Sequence, residues 1–227
     1  DDDQQEPAKQ DRRVTEWLRE SRQQKGDYIE LVQSDMLELL VDNMQHLVVL
    51  FYDPAQCASN AKSSKCKKIL QELENIDDDT DEHGIQFVKC EDVEYARSIG
   101  ITSLPALVYF ERHSSAPSIY AGDLEQEELV LEWLVKQKDE DTIENINRDI
   151  LTNLITRQSE SRARGTKRTG QRERDYLAVL FYKQSHEQSD RVLDKLESID
   201  DDLSDYDIHL VKLADDLIAK KYAVRHP

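Results

Sequence analysis

The stretch HLVVLFYDP (46–54) decides the fold, together with KCKKILQELENI (65–76), IQFVKCEDVEYARSIGI (85–101) and TSLPALVYF (102–110), which follow a polar, cysteine-bearing insert. Residues 47–52 form an apolar run of strand length and strand composition. A run without polar alternation suits a strand covered on both faces, as in the middle of a sheet. Cys66, Ile69, Leu70 and Leu73 then recur at helical spacing. Residues 85–89 predict a second strand, residues 93–99 a short helix closed by Gly100, and residues 106–110 a third strand entered through Pro105. Strand, helix, strand, helix, strand predicts an α/β domain with parallel pairing at its centre.

These residues resemble the thioredoxin fold, in the version used by the protein disulfide isomerase family. The strand ending in Phe51 and Tyr52 is similar to the one that delivers that family's active site. Cys66-Lys67-Lys68 is similar to the second cysteine of its Cys-x-x-Cys motif and the lysines after it. The segment from Ile101 to Pro105 is similar to the one ending in the family's cis-proline. The resemblance implies a central mixed sheet flanked by helices. It also implies a cis bond before Pro105, and a peptide groove of which Leu104 and Pro105 form one side.

The sequence departs from the family where the attacking cysteine belongs. The four residues ending at Cys66 read Ser63-Ser64-Lys65-Cys66, so Ser63 stands in that place, and the next cysteine upstream is Cys57. Dithiol exchange needs a low-pKa thiolate at a helix N-terminus and a resolving thiol one turn on. Serine supplies no such thiolate. Three readings of Cys57 and Cys66 stand at this point: a structural disulfide closing the insert, a redox-active pair, and two free thiols. In an oxidising compartment the disulfide is the expectation. Cys90 has Leu213 as its counterpart in a repeat, so it is read as a buried core thiol.

That repeat runs through the chain. VLEWLVK (130–136) echoes VTEWLRE (14–20), and DYLAVLFY (175–182) echoes HLVVLFY (46–52). RVLDKLESIDDD (191–202) echoes KKILQELENIDDD (67–79), and IHLVK (208–212) echoes IQFVK (85–89). Three segments are expected. Residues 1–25 hold a polar linker and the last helix of a preceding repeat, with Trp17 belonging to that repeat. Residues 26–139 form a thioredoxin-like domain. Residues 140–227 form a second one that stops before its last strands and carries a basic flexible loop at 157–174. Pro227 aligns with Leu104. The second copy has no cysteine, and its His186 is read as a surface histidine.

The net charge of −18 makes nucleic acid an unsuitable partner. No apolar run approaches the length of a membrane span. The chain opens DDDQQ without an initiator Met and is read as a piece of a longer protein. The clusters at Asp77-Asp78-Asp79, at 139–141 and at Asp200-Asp201-Asp202 lack the spacing of a high-affinity calcium loop, and are read as solvated loops. No zinc spacing or phosphate-binding loop occurs, so no cofactor and no metal site are expected.

The reading is a non-catalytic scaffold, or a module binding an unfolded client or a partner protein. The resemblance implies the endoplasmic reticulum lumen. Two alternatives remain: a thiol–disulfide oxidoreductase using Cys57 and Cys66, and a weak calcium binder resembling calsequestrin, which also strings acidic thioredoxin-like domains together.

Overall fold

Residues 47–51 are completely buried, which an unalternating apolar strand requires of both sheet faces. The computed structural model describes residues 6–21, 28–58, 63–112, 114, 116–140, 142–164, 176–184 and 186–224. In chain order the first elements are α1 (Glu6–Ser21), β1 (Glu30–Leu31), α2 (Ser34–Asn43), β2 (His46–Phe51), α3 (Pro54–Ala58) and α4 (Ser63–Glu74). They continue with α5 (Asp77–Glu82), β3 (Gln86–Cys90), α6 (Val93–Ser98), β4 (Ala106–Glu111), β5 (Ser118–Ile119) and α7 (Glu127–Asp139). After these come β6 (Glu144–Asn145), α8 (Arg148–Arg164), β7 (Tyr176–Phe181), α9 (Glu187–Glu197), α10 (Asp200–Asp205), β8 (Ile208–Leu213) and α11 (Asp216–Lys221).

The first sheet has the order β1-β3-β2-β4-β5. β2 pairs parallel with β3, Val49 facing Val88, and antiparallel with β4, Val49 facing Val108. Val48, Leu50, Phe87, Leu107 and Tyr109 from this sheet form one core with Ile69 and Leu73 of α4 and Val130 and Leu134 of α7. Trp17 is half-buried and lies outside that core cluster; its helix is tied to α2 by an Arg13–Asp35 ion pair at 3.2 Å.

The second sheet has the order β6-β8-β7, all parallel, and repeats the first sheet's register. Glu30 faces Val88 and Glu144 faces Val211; Phe51 faces Cys90 and Phe181 faces Leu213. One polar device recurs with it. Glu74 accepts the Ile29 N–H at 2.6 Å and the Lys89 ammonium at 2.7 Å. Glu197 accepts the Ile143 N–H at 2.7 Å and the Lys212 ammonium at 3.0 Å. Each carboxylate thus satisfies an orphan strand donor and a half-buried cation together, as burial of either would demand.

The chain divides into two compact units. The first holds residues 1–95, 103–112 and 120–139; the second holds 96–102, 113–119 and 140–227. Two short segments from within 26–139 therefore belong to the second unit. Hydrogen bonds inside that unit account for them. Asn147 Nδ2 donates to the Gly100 carbonyl at 2.7 Å, and Thr102 Oγ1 to Asp149 at 2.9 Å. The Asn145 N–H donates to Ser118 Oγ at 3.2 Å. Glu144 accepts from Ser114 and lies 3.3 Å from His209 Nε2; although burial pushes its carboxyl pKa up, these partners outweigh it and hold the pKa below the ordinary value.

Several expectations are corrected. The polar N-terminal segment is helical from Glu6, because 6–13 is rich in helix formers and Pro7 sits in the first turn, where a missing N–H costs nothing. The basic loop expected at 157–174 is helix as far as Arg164. An exposed helix needs no apolar period. The remainder of that loop, Pro227, and the linker residues 1–5 and 22–25 lie outside the described residues. Two of the acidic runs are not loops but the first turns of α5 and α10, where carboxylates suit the positive end of the helix dipole.

Candidate functional site

β2 ends at Phe51, which faces Ala106, the first residue of β4. This register sets Leu104 and Pro105 at the same end of the sheet as Tyr52. The Leu104–Pro105 peptide bond is cis, and both residues are half-buried. Beyond Tyr52 the chain enters α3, which residue patterning alone reads as an irregular insert. Asp53 starts it: its Oδ1 accepts the Ala55 N–H at 2.9 Å, and Pro54 takes the first helical position. Cys57 therefore sits inside a helix, one residue from its end, and not in an irregular segment. The centre of the insert, residues 59–62, lies outside the described residues.

Cys57 and Cys66 are joined in a disulfide, with Cα atoms 5.3 Å apart. The two are 8% and 7% exposed and pack with Tyr52 and Leu70. Cys66 lies one turn into α4, and Ser63 is its first residue. Cys57 is the fourth residue of α3, and Cys66 is inside the packing. Cys90 is the remaining cysteine, 1% exposed, and burial pushes its thiol pKa up. Burial likewise raises the Tyr52 phenol, and its hydroxyl donates to Glu91, so Tyr52 is a neutral donor and no base.

Among the described residues, no group of three or more His, Cys, Asp or Glu is placed to hold a metal ion, and no helix is long and apolar enough to cross a membrane. The acidic face under β1 has another property. Burial first, then Glu30, Asp81, Glu74 and Asp78, raise the Asp77 carboxyl to about 7. A raised carboxyl contributes stability at acid pH that is lost as pH rises through the folded value. The window here runs from the ordinary value of 3.8 up to about 7. Asp77→Asn is therefore expected to leave stability unchanged near the acid end. Above neutrality it should raise stability by about 1 kcal/mol, a figure discounted for solvent screening. Urea unfolding at both ends of the window checks this; an equal effect at both would contradict it.

Strand order, the parallel and antiparallel neighbours of β2, and helices on both faces define a thioredoxin-like fold. No family model matches the sequence, and no curated protein matches it. Among solved structures, the J-Trx1 fragment of ERdj5 is similar over 48% of this chain and 51% of its own, at 19% identity and a TM-score of 0.40. Human ERp44 in its zinc-bound form is similar over 87% of this chain and 48% of its own, at 13% identity and a TM-score of 0.40. Oxidised mitochondrial thioredoxin 3 from Saccharomyces cerevisiae is similar over 48% of this chain and 97% of its own, at 17% identity and a TM-score of 0.37. The match thus spans about half the length of the first two of these chains.

Proposed function

We propose that this chain is a non-catalytic thioredoxin-like scaffold that binds a client or partner protein, within a multi-domain protein of the endoplasmic reticulum lumen. The observation that carries the reading is the fate of the cysteines. Two are consumed in a buried disulfide, the third is a core thiol, and Ser63 begins the helix that would have to present a nucleophile. On this reading an extended peptide docks beside Leu104 and the cis Pro105, through backbone contacts rather than redox chemistry. The disulfide supports an oxidising compartment, where such a bond persists.

The rival reading is an oxidoreductase using Cys57 and Cys66, favoured by the position of that disulfide at the end of β2. Light scattering of a thermally unfolding, cysteine-free test client examines the scaffold reading independently of thiols. The chain is expected to delay aggregation at near-stoichiometric ratio, and Leu104→Glu to remove most of the delay. An undiminished aggregation rate with the unsubstituted chain would contradict the reading.

A further inference from the structure

Of the nine tyrosines, Tyr28, Tyr176, Tyr206 and Tyr222 are exposed. Three of these have cations just before them in sequence. Lys25 precedes Tyr28, Arg172 and Arg174 precede Tyr176, and Lys220 and Lys221 precede Tyr222. Tyr206 differs. It lies in DDDLSDYD (200–207), with Asp205 and Asp207 as its direct neighbours and three further aspartates shortly before. No Lys or Arg occurs between Lys195 and Lys212. Tyr206 is also the most open of the four, at 75% exposure.

The backbone explains that exposure. α10 ends at Asp205 and β8 begins at Ile208, so Tyr206 and Asp207 form a two-residue turn. The Tyr206 N–H donates to the Leu203 carbonyl at 3.1 Å, and Asp207 takes φ +58°, a conformation that Asp tolerates better than most side chains. The Asp207 carbonyl accepts the Tyr176 N–H at 3.1 Å. The first unit makes the same turn between α5 and β3, with His83 in the place of Tyr206 and Gly84, φ +71°, in the place of Asp207. There α7 is present, and its Lys138 ammonium donates to the His83 carbonyl at 2.5 Å. His83 is exposed all the same. The turn is thus open in a unit whose five strands and last helix are all in place.

We propose that Tyr206 is an acceptor for sulfuryl transfer by a tyrosine sulfotransferase. The donor is a nucleoside phosphosulfate. The phenol oxygen attacks the donor sulfur and a new O–S bond forms as the S–O bond to the donor phosphate breaks. The phenolic proton passes to a base of the enzyme, the nucleoside phosphate leaves with the bonding pair, and nothing is oxidised or reduced. Such a donor is anionic at both its sulfate and its phosphates. An enzyme that holds it and stabilises the transferring group presents cations around the acceptor phenol. Carboxylates beside that phenol are drawn to those cations, and Lys or Arg there is repelled. This selects Tyr206 over the other three exposed tyrosines. α10 is six residues long and adds little helical stability of its own, so the segment can open to meet an enzyme groove.

The test incubates the whole chain with a purified tyrosine sulfotransferase and a radiolabelled phosphosulfate donor, and locates the label by mass spectrometry of peptides. One sulfuryl group per chain is expected, on Tyr206, and lost in Tyr206→Phe. Asp205→Asn with Asp207→Asn is expected to slow incorporation about tenfold. In the Tyr206→Phe chain, His83→Tyr is expected to restore label at position 83, because Asp77-Asp78-Asp79, Asp81 and Glu82 precede it as the aspartates precede Tyr206. Absence of label would overturn the proposal, as would label that persists in Tyr206→Phe or spreads over the other exposed tyrosines. A rate indifferent to the two flanking carboxylates, or no label after His83→Tyr, would overturn it as well. The inference goes beyond the scaffold reading. Its failure leaves the client assay at Leu104 untouched, and failure of that assay leaves this one readable.

Discussion

Gly100→Ala is expected to cost the fold about 3 kcal/mol or more. Gly100 has φ +97°, a conformation that side chains rarely adopt. A Cβ there would lie 2.8 Å from the Ile150 nitrogen, 2.9 Å from Ile150 Cγ1 and 3.1 Å from the Asp149 carbonyl carbon. Two of those atoms are backbone at the start of α8, which is anchored and cannot step aside. Asn147 Oδ1 accepts the Asp149 and Ile150 N–H groups, both at 2.9 Å, and its Nδ2 binds the Gly100 carbonyl. Relieving the clash would break that cap. Gly84 is the control: it also has positive φ, at +71°, but nothing lies within 4 Å of its added Cβ. Gly84→Ala is expected to cost about 1 kcal/mol, the conformational part alone. Urea unfolding of both variants decides the matter. Equal losses would mean that the close approach to α8 is not as described.

Replacing both Cys57 and Cys66 by serine is expected to be the next most damaging change. The disulfide links residues at a sequence separation of 9, and a loop of that length constrains the unfolded chain by about 2–3 kcal/mol. Two buried hydroxyls beside Tyr52 and Leu70 add a smaller desolvation cost. For a domain of this size the melting temperature should fall by about 8–15 °C. Calorimetry with and without reductant measures it. A reduced chain that melts with the oxidised one would show that the cross-link does not hold the native state.

These two sites were legible in the sequence to different degrees, for physical reasons. A short uninterrupted apolar run of strand composition suits a covered strand, so β2 and its surroundings were readable from residues 47–52. The echoed segments placed β7 and β8 by analogy, and Gly100 was readable as a helix stop. Its collision course with Ile150 was not, because that contact joins residues far apart in sequence. Glu74 and Glu197 were visible only as part of two echoed acidic helices; their buried partners, Lys89 and Lys212, come from strands folded beside them. α3 was missed although Asp53-Pro54 is a helix-start signal, since five residues show no period. β7 (YLAVLF) matches β2 (HLVVLF) at four of six positions, yet it is half-exposed. Local sequence records what a strand can bury and not whether a neighbour covers it.

The central claim, a thioredoxin-like fold without thiol–disulfide turnover, is met most directly by one pair of assays on the intact chain. These are insulin reduction with dithiothreitol, and the pH profile of iodoacetamide alkylation for each cysteine after reduction. Cys57 is expected to alkylate with the profile of an ordinary thiol, near pH 8–9, because it lies at the wrong end of α3 for dipole assistance, and Cys90 more slowly still. Insulin reduction should not exceed the rate of dithiothreitol alone. Turnover comparable to that of a Cys-x-x-Cys protein, abolished by Cys57→Ser, would contradict the account, as would a Cys57 thiolate already formed near pH 7.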